Sequence, residues 1–129
     1  MTCKQIYESA SAYALHDSAD LGNNDYLSLV PSIINIFSQE NGDLADRFCE
    51  SKGMNDCSFA SFEVSSPTDF FPLPDRFAPA AAYFIAARLC IRQDGSAADF
   101  FQGLYENEIR SIRSEIPLSC EAISDVYQA

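Results

Sequence analysis

The sequence contains no tryptophan, a single histidine and only 8 lysine and arginine residues. Against 19 aspartates and glutamates, these bases leave a formal net charge of −11. A protein that grips duplex DNA neutralises several phosphates with cations, and this chain lacks the positive surplus that such binding requires. An anionic membrane surface repels it for the same reason. Conventional nucleic-acid binding and membrane binding are therefore both disfavoured.

Long hydrophobic runs are also missing. The longest mostly apolar run, residues 77–91, is interrupted by Pro79 and Arg88 and is too short to cross a bilayer. The first residues contain no apolar core of the length that a signal peptide needs. We therefore expect neither a membrane anchor nor a secretion signal.

Metal-binding and disulfide motifs are absent as well. The five cysteines lie at positions 3, 49, 57, 90 and 120, and no two have the C-x-x-C spacing. With His16 as the only histidine, a zinc site is not expected, and reduced cytosolic thiols are the default. We predict no metal and no cofactor.

No catalytic constellation emerges from the residues. His16 lies in a polar turn, and the chain has no nucleophile elbow, P-loop or dinucleotide-binding glycine motif. The many carboxylates are better interpreted as a solvated face than as an acid–base pair. We predict a protein that is not an enzyme and has no small-molecule substrate. A helical enzyme that uses Cys49 or a carboxylate pair is kept as an alternative.

What the chain does contain is helical periodicity. Its 129 residues, 47% of them hydrophobic, fit one domain. We predict an all-α bundle of about four helices in residues 1–114, followed by a flexible C-terminal tail, residues 115–129. The first two predicted helices cover about 2–15, with Thr2 as the cap, and 25–51. The third is introduced by Asp75, has Pro79 in its first turn and runs to about Ile91, and the fourth covers about 96–114, with Ser96 at the start.

The second helix is predicted to be long. Apolar residues and Asn41 keep one helical phase from Val30 to Phe48, across the turn-like dipeptide Asn41-Gly42. One helix that ends at a Gly53 C-cap is favoured, and two helices broken at that dipeptide are the alternative. The third helix is apolar nearly all round, which predicts a central position. The predicted core residues are Ile34, Phe37, Phe48, Tyr83, Phe84, Leu89, Phe100 and Leu104.

Two segments are predicted to be loosely ordered in the free chain and to bind partner proteins. Prolines 67, 72 and 74 exclude a helix interior from the linker, residues 55–74, which we expect to be long and extended. The linker and the tail both carry apolar side chains that have no obvious place inside the chain, and such groups serve as interface anchors. The candidate partner-binding residues are Phe59, Phe70, Phe71, Ile116, Leu118, Ile123 and Tyr127.

Several stretches occur in an order that resembles a known family. They are QENGDL at 39–44, ESKGM at 50–54, FEVSS at 62–66, FFPLPD at 70–75, an alanine-rich helix at 79–89, and AADFFQGLYE at 97–106. This order resembles the head-tail connector (adaptor, head-completion) proteins of tailed phages and prophages, over roughly residues 25–113.

The resemblance implies a structural protein of the virion. Members of the family are mainly helical and form a ring of about a dozen copies that joins the portal of the DNA-filled head to the tail. The implied partners are other copies of the chain, the portal and the tail-completion proteins. DNA would pass through an acidic channel without specific binding. The implied locations are the host cytoplasm during assembly and then the neck of the virion. An acidic DNA mimic, or another helical protein-interaction module, is the alternative.

Overall fold

The computed structural model describes residues 1–14, 24–53, 59, 63–91 and 95–116. Within them the chain forms four α-helices, which confirms the predicted all-α bundle with its long second helix. Their bounds are α1 Cys3–Ala14, α2 Asn24–Ser51, α3 Ala78–Cys90 and α4 Gly95–Glu115. A 3-10 turn, Asp75–Phe77, leads into α3.

Helix α1 begins with a reciprocal cap. The Gln5 N–H donates to the Thr2 hydroxyl oxygen at 3.2 Å, and the Thr2 N–H donates to Gln5 Oε1 at 2.8 Å. This capping box satisfies donors that the first turn of a helix leaves without intrahelical partners. Thr2 is thus the cap, as predicted from the sequence. By contrast, Ser96 lies inside α4, which begins no later than Gly95.

Helix α2 runs without a break across Asn41-Gly42, so the prediction of one long helix is confirmed. The Asn41 side chain is buried, and its Nδ2 donates to the Phe37 carbonyl and to the Tyr105 hydroxyl, both at 3.0 Å. An asparagine side chain can form hydrogen bonds to the nearby backbone that favour a turn over a helix. Here the two bonds use the Asn41 amide group, so it does not favour a turn. Gly53 terminates the segment with a φ of 72°, a conformation that favours glycine.

Helix α3 is the centre of the bundle. It packs against α1, α2 and α4, and most of its residues are buried. The many alanines allow neighbouring helices to approach closely. Arg88, the charged residue within it, is exposed and holds its guanidinium carbon 4.5 Å from the centre of the Phe84 ring. The charge therefore reaches solvent, as expected, and contacts an aromatic face on the way.

One aromatic ring joins most of the elements. The Phe37 ring is fully buried, and its centroid lies 6.1 Å from that of Phe71, 5.6 Å from Phe84 and 6.0 Å from Tyr105. These neighbours come from the linker, α3 and α4. Aromatic pairs at such distances add about 0.5–1.5 kcal/mol each beyond their buried area.

The predicted core is mostly confirmed, with one error. Phe100 is 62% exposed, and the next residue, Phe101, takes its place in the core. The buried face of α4 is set by a spacing of four, four and three residues, and Phe100 lies about 100° away from that face. Tyr83 and Leu104 are half-buried and pack against the core. The other predicted core residues are buried: Ile34, Phe37, Phe48, Phe84 and Leu89.

Replacing Ala81 with leucine should destabilise the fold by about 1–3 kcal/mol, because a fully buried small residue in the central helix leaves no room for a larger side chain. Urea denaturation measures this change. Ala12→Leu, at an exposed position of α1, is the matched control and should change stability by less than about 0.5 kcal/mol. Equal stabilities of the two variants would contradict the central placement of α3.

Alanine should have opposite effects at two glycines. Gly53→Ala should cost about 1–2 kcal/mol, because an L side chain strains the left-handed conformation at φ 72°. Gly103→Ala should add about 0.5–1 kcal/mol of stability, since this glycine lies inside α4 and an added Cβ meets no atom within 4 Å. Thermal unfolding of both variants gives the two signs, and the same sign in both would refute the assignment of Gly53 as the cap.

Candidate docking surface

The second half of the linker is tied to the N-terminus of α1. The Cys3 N–H donates to the Asp69 carbonyl at 3.0 Å, and the Lys4 N–H donates to the Pro67 carbonyl at 2.8 Å. The Phe71 N–H donates in the other direction, to the Met1 carbonyl at 2.9 Å. Linker carbonyls thus satisfy first-turn donors of α1 that have no partner within the helix. Residues 63–74 are therefore tied to the bundle by backbone hydrogen bonds.

Helix α2 holds the same linker along one face. Asn35 pairs with the backbone of Val64: its Nδ2 donates to the carbonyl at 2.9 Å, and its Oδ1 accepts from the N–H at 2.8 Å. Asp46 Oδ1 accepts from the Phe59 N–H at 2.8 Å. Asn35 and Asp46 are eleven positions apart, close to three full turns, so they share a face of α2. Two polar side chains in an amphipathic helix therefore set the path of the linker.

The Asp69 carboxylate closes a tight turn within the linker. Its Oδ2 accepts from the N–H groups of Ser65 and Ser66, both at 3.0 Å, and from the Ser65 hydroxyl at 3.3 Å. The Ser65 and Ser66 N–H groups lower the pKa of Asp69, since they stabilise the ionised form. Burial, and then the charge of Asp69, raises the pKa of the nearby Cys3 thiol to about 11.

This fixed turn presents an exposed aromatic ring. Phe70 is 76% exposed, whereas the adjacent Phe71 is buried in the core. Beside Phe70 lies an open groove of about 370 Å³. Its other lining residues are Phe59, Glu63, Val64, Asp69, Phe71 and Pro72. The groove therefore combines an apolar floor with two carboxylates.

The predicted partner-binding residues fall into different environments. Phe59 and Ile116 are half-buried and pack against the core, and Phe71 belongs to the core itself. Phe71 therefore stabilises the fold, and it also lines the groove beside Phe70. Phe70 alone among the described candidates is exposed. The remaining candidates lie outside the described residues: Leu118, Ile123 and Tyr127.

Further exposed apolar side chains occur away from the linker. Leu29 and Ile36 lie seven positions apart on α2 with the half-buried Ile33 between them, and we call these three residues the α2 stripe. Phe100 on α4 and Ile91 after α3 are exposed at other places. Our sequence reasoning missed the α2 stripe. Its residues are spaced four and three positions apart, which predicts a second apolar face of the helix next to the buried one. This spacing could have been recognised in the sequence.

A polar cluster joins α2 to α4. The Tyr105 hydroxyl donates to Glu40 Oε2 at 3.2 Å and accepts from Asn41 Nδ2 at 3.0 Å. Burial raises the pKa of Tyr105, and the neighbouring Glu40 charge acts in the same direction. A phenol with a raised pKa stays protonated, so it is a poor general base at neutral pH. The cluster is best explained as a bond between helices.

A second polar contact fixes the 3-10 turn. Arg76 forms ion pairs with Glu108 at 2.9 Å and with Glu115 at 2.8 Å, and it reaches the Ser111 hydroxyl at 3.3 Å. All three partners lie on α4. The arginine therefore holds the start of α3 against α4, and its role here is structural.

The described residues contain no group of three or more side chains suited to hold a metal ion. Cys49 is disulfide-bonded, so the expectation of reduced thiols is wrong for this residue, and it offers no thiolate for the alternative enzyme hypothesis. Cys3 and Cys90 are reduced thiols. His16 lies outside the described residues.

No family model, curated protein or solved structure matches the chain. The resemblance to phage connectors therefore depends on the sequence motifs alone. In the part of the chain that the structure describes, no helix has both the length and the apolar character needed to cross a membrane.

The turn around Asp69 should respond to acid. Because the folded-state pKa of Asp69 lies below its ordinary value of 3.8, ionised Asp69 stabilises the turn above that value, and the contribution is lost as the pH falls through the lowered pKa. Amide chemical shifts of Ser65 and Ser66 in an NMR titration should report this step. Asp69→Asn keeps an acceptor oxygen but cannot titrate, so its turn should show no such step. A step at the ordinary pKa would contradict the hydrogen bonds described.

Proposed function

We propose that the chain is a structural subunit of a phage or prophage head-tail connector, which assembles as a ring between the portal and the tail around the DNA channel. The order in which the family-like motifs follow one another between residues 39 and 106 supports this role. A helical bundle whose described polar clusters act as ties between elements is consistent with a scaffold. The proposal needs no active site.

The observation that carries the proposal is the distribution of exposed apolar side chains. They occur on separate elements: on the linker at Phe70, on α2 at Leu29 and Ile36, and on α4 at Phe100. A ring is built from a heterologous interface, in which one surface of a copy meets a different surface of the next. A chain with several separate apolar surfaces can use two of them to contact the two neighbouring copies in the ring. A further surface is then left to contact the portal or a tail protein.

The charge fits the same role. A net charge of −11 per copy repels phosphate, so a channel lined by such subunits lets DNA slide without gripping it. The same charge opposes the approach of identical copies. Ring formation should then depend on screening of the charge or on a partner that brings the copies together.

Ring formation should increase when salt is raised from about 0.1 M, where the Debye length is about 10 Å, to about 0.5 M. Sedimentation velocity and negative-stain microscopy of the chain, alone and mixed with the portal protein of the same genome, measure it. The double variant Leu29→Ser with Ile36→Ser should lose ring formation without losing stability, because both side chains are exposed.

The matched control is Glu8→Ser with Ala12→Ser, two exposed positions on one face of α1. It should form rings like the unmodified chain. A chain that remains monomeric at every salt concentration and with the portal would refute the connector proposal. Rings that weaken with salt would show that complementary charges, and not apolar contacts, hold the copies together.

A further inference from the structure

Residues 69–71 of the linker pair with residues 1–3 around one isolated antiparallel bridge. Thr2 and Phe70 face each other in a bridge, and the flanking bonds run from the Cys3 N–H to the Asp69 carbonyl and from the Phe71 N–H to the Met1 carbonyl. In this pattern the facing residues are a non-hydrogen-bonded pair. Their own N–H and C=O groups therefore point away from each other.

The two outward-pointing backbones differ in what they bind. The Thr2 N–H donates to Gln5, and the Thr2 carbonyl accepts from the Ile6 N–H, so both groups are used by α1. The Phe70 N–H and C=O have no hydrogen-bond partner among the described residues. An edge with an unpaired donor and acceptor is the template on which a further strand can pair.

We propose that this edge and the adjoining groove bind an extended peptide segment of another protein, which adds a strand beside Phe70. The unpaired N–H and C=O of Phe70 supply the main-chain bonds. The exposed Phe70 ring and the apolar floor of the groove, formed by Val64 and Phe71, receive a side chain of the peptide. Strand addition of this kind takes affinity from the backbone and specificity from pockets for alternate side chains.

The charge of the groove defines the peptide further. Glu63 is exposed and Asp69 is ionised, and both line the groove, while the chain as a whole carries −11. A cationic segment is attracted by this field and an acidic one is repelled. The peptide therefore has apolar residues at alternate positions and a lysine or arginine near them. A second copy of this acidic chain fits the groove less well than a basic partner does.

The edge is held ready for binding. The hydrogen bonds to Met1, Cys3 and Lys4, together with the Asp69 turn, fix the backbone on both sides of Phe70. A preorganised edge avoids most of the ordering cost that a loose loop pays on binding. The proposal concerns the groove alone and holds whether or not the chain assembles into a ring.

The test is a selection of peptides by the whole chain. A yeast-displayed library of random peptides of about a dozen residues, long enough to form one added strand, is sorted against the fluorescently labelled protein. The enriched peptides should alternate apolar and polar residues and carry lysine or arginine. Fluorescence anisotropy of the best synthetic peptide should give a Kd about tenfold weaker for Phe70→Ala and weaker, with a reduced salt dependence, for Glu63→Gln.

Phe100→Ala is the matched control, since it also removes an exposed phenyl ring but from α4. It should leave the Kd within about twofold. N-methylation of successive peptide amides should weaken binding at the one amide that donates to the Phe70 carbonyl, because Phe70 supplies the main-chain acceptor of this edge. The proposal is overturned if no enriched peptide depends on Phe70, if the enriched pattern has helical spacing, or if N-methylation has no effect. Circular dichroism confirms that each variant is folded.

Discussion

A helix that is apolar around most of its circumference has to be covered on most sides, and helix α3 imposes this requirement on the rest of the chain. Helices α1, α2 and α4 cover it, and the linker residues Phe71 and Leu73 add to the same core. The small side chains of α3 let the covering helices approach closely, so the packing tolerates little change in volume. The large aromatic rings, with Phe37 among them, fill the spaces that remain between the elements.

The linker shows how polar groups complete this apolar arrangement. The first-turn N–H groups of α1 lack acceptors within the helix, and the carbonyls of the linker lack donors. Hydrogen bonds between these two sets of groups satisfy both. Asn35 and Asp46 on α2 fix the linker from the other side. The result is a non-helical segment with a defined path, in which Phe71 is directed into the core while Phe70 is left at the surface.

The bundle leaves several apolar side chains on its surface, and both proposed contacts use them. Leu29 and Ile36 lie on a regular helix face, whereas Phe70 lies at a backbone edge with an open donor and acceptor. These surfaces differ in kind, and so they suit different partners: a helix face packs against another folded surface, and an edge takes an extended strand. In both proposed roles, the large negative charge would disfavour acidic partners and nucleic acid.

The sequence by itself determined the helices, the central position of α3 and most of the core, because these follow from apolar spacing that repeats over many residues. The continuity of α2 across Asn41-Gly42 was predictable from its phase, although the bonds to Phe37 and Tyr105 that hold it became visible only in the structure. The tertiary structure alone decided that Phe101, and not Phe100, enters the core, since a choice between adjacent residues depends on the rotation of α4 against α3. Only the tertiary structure, likewise, determined which linker side chains are buried. Phe70 and Phe71 are identical in type and adjacent in sequence, and only the pairing of the linker with the N-terminus of α1 places one ring inside and the other in solvent.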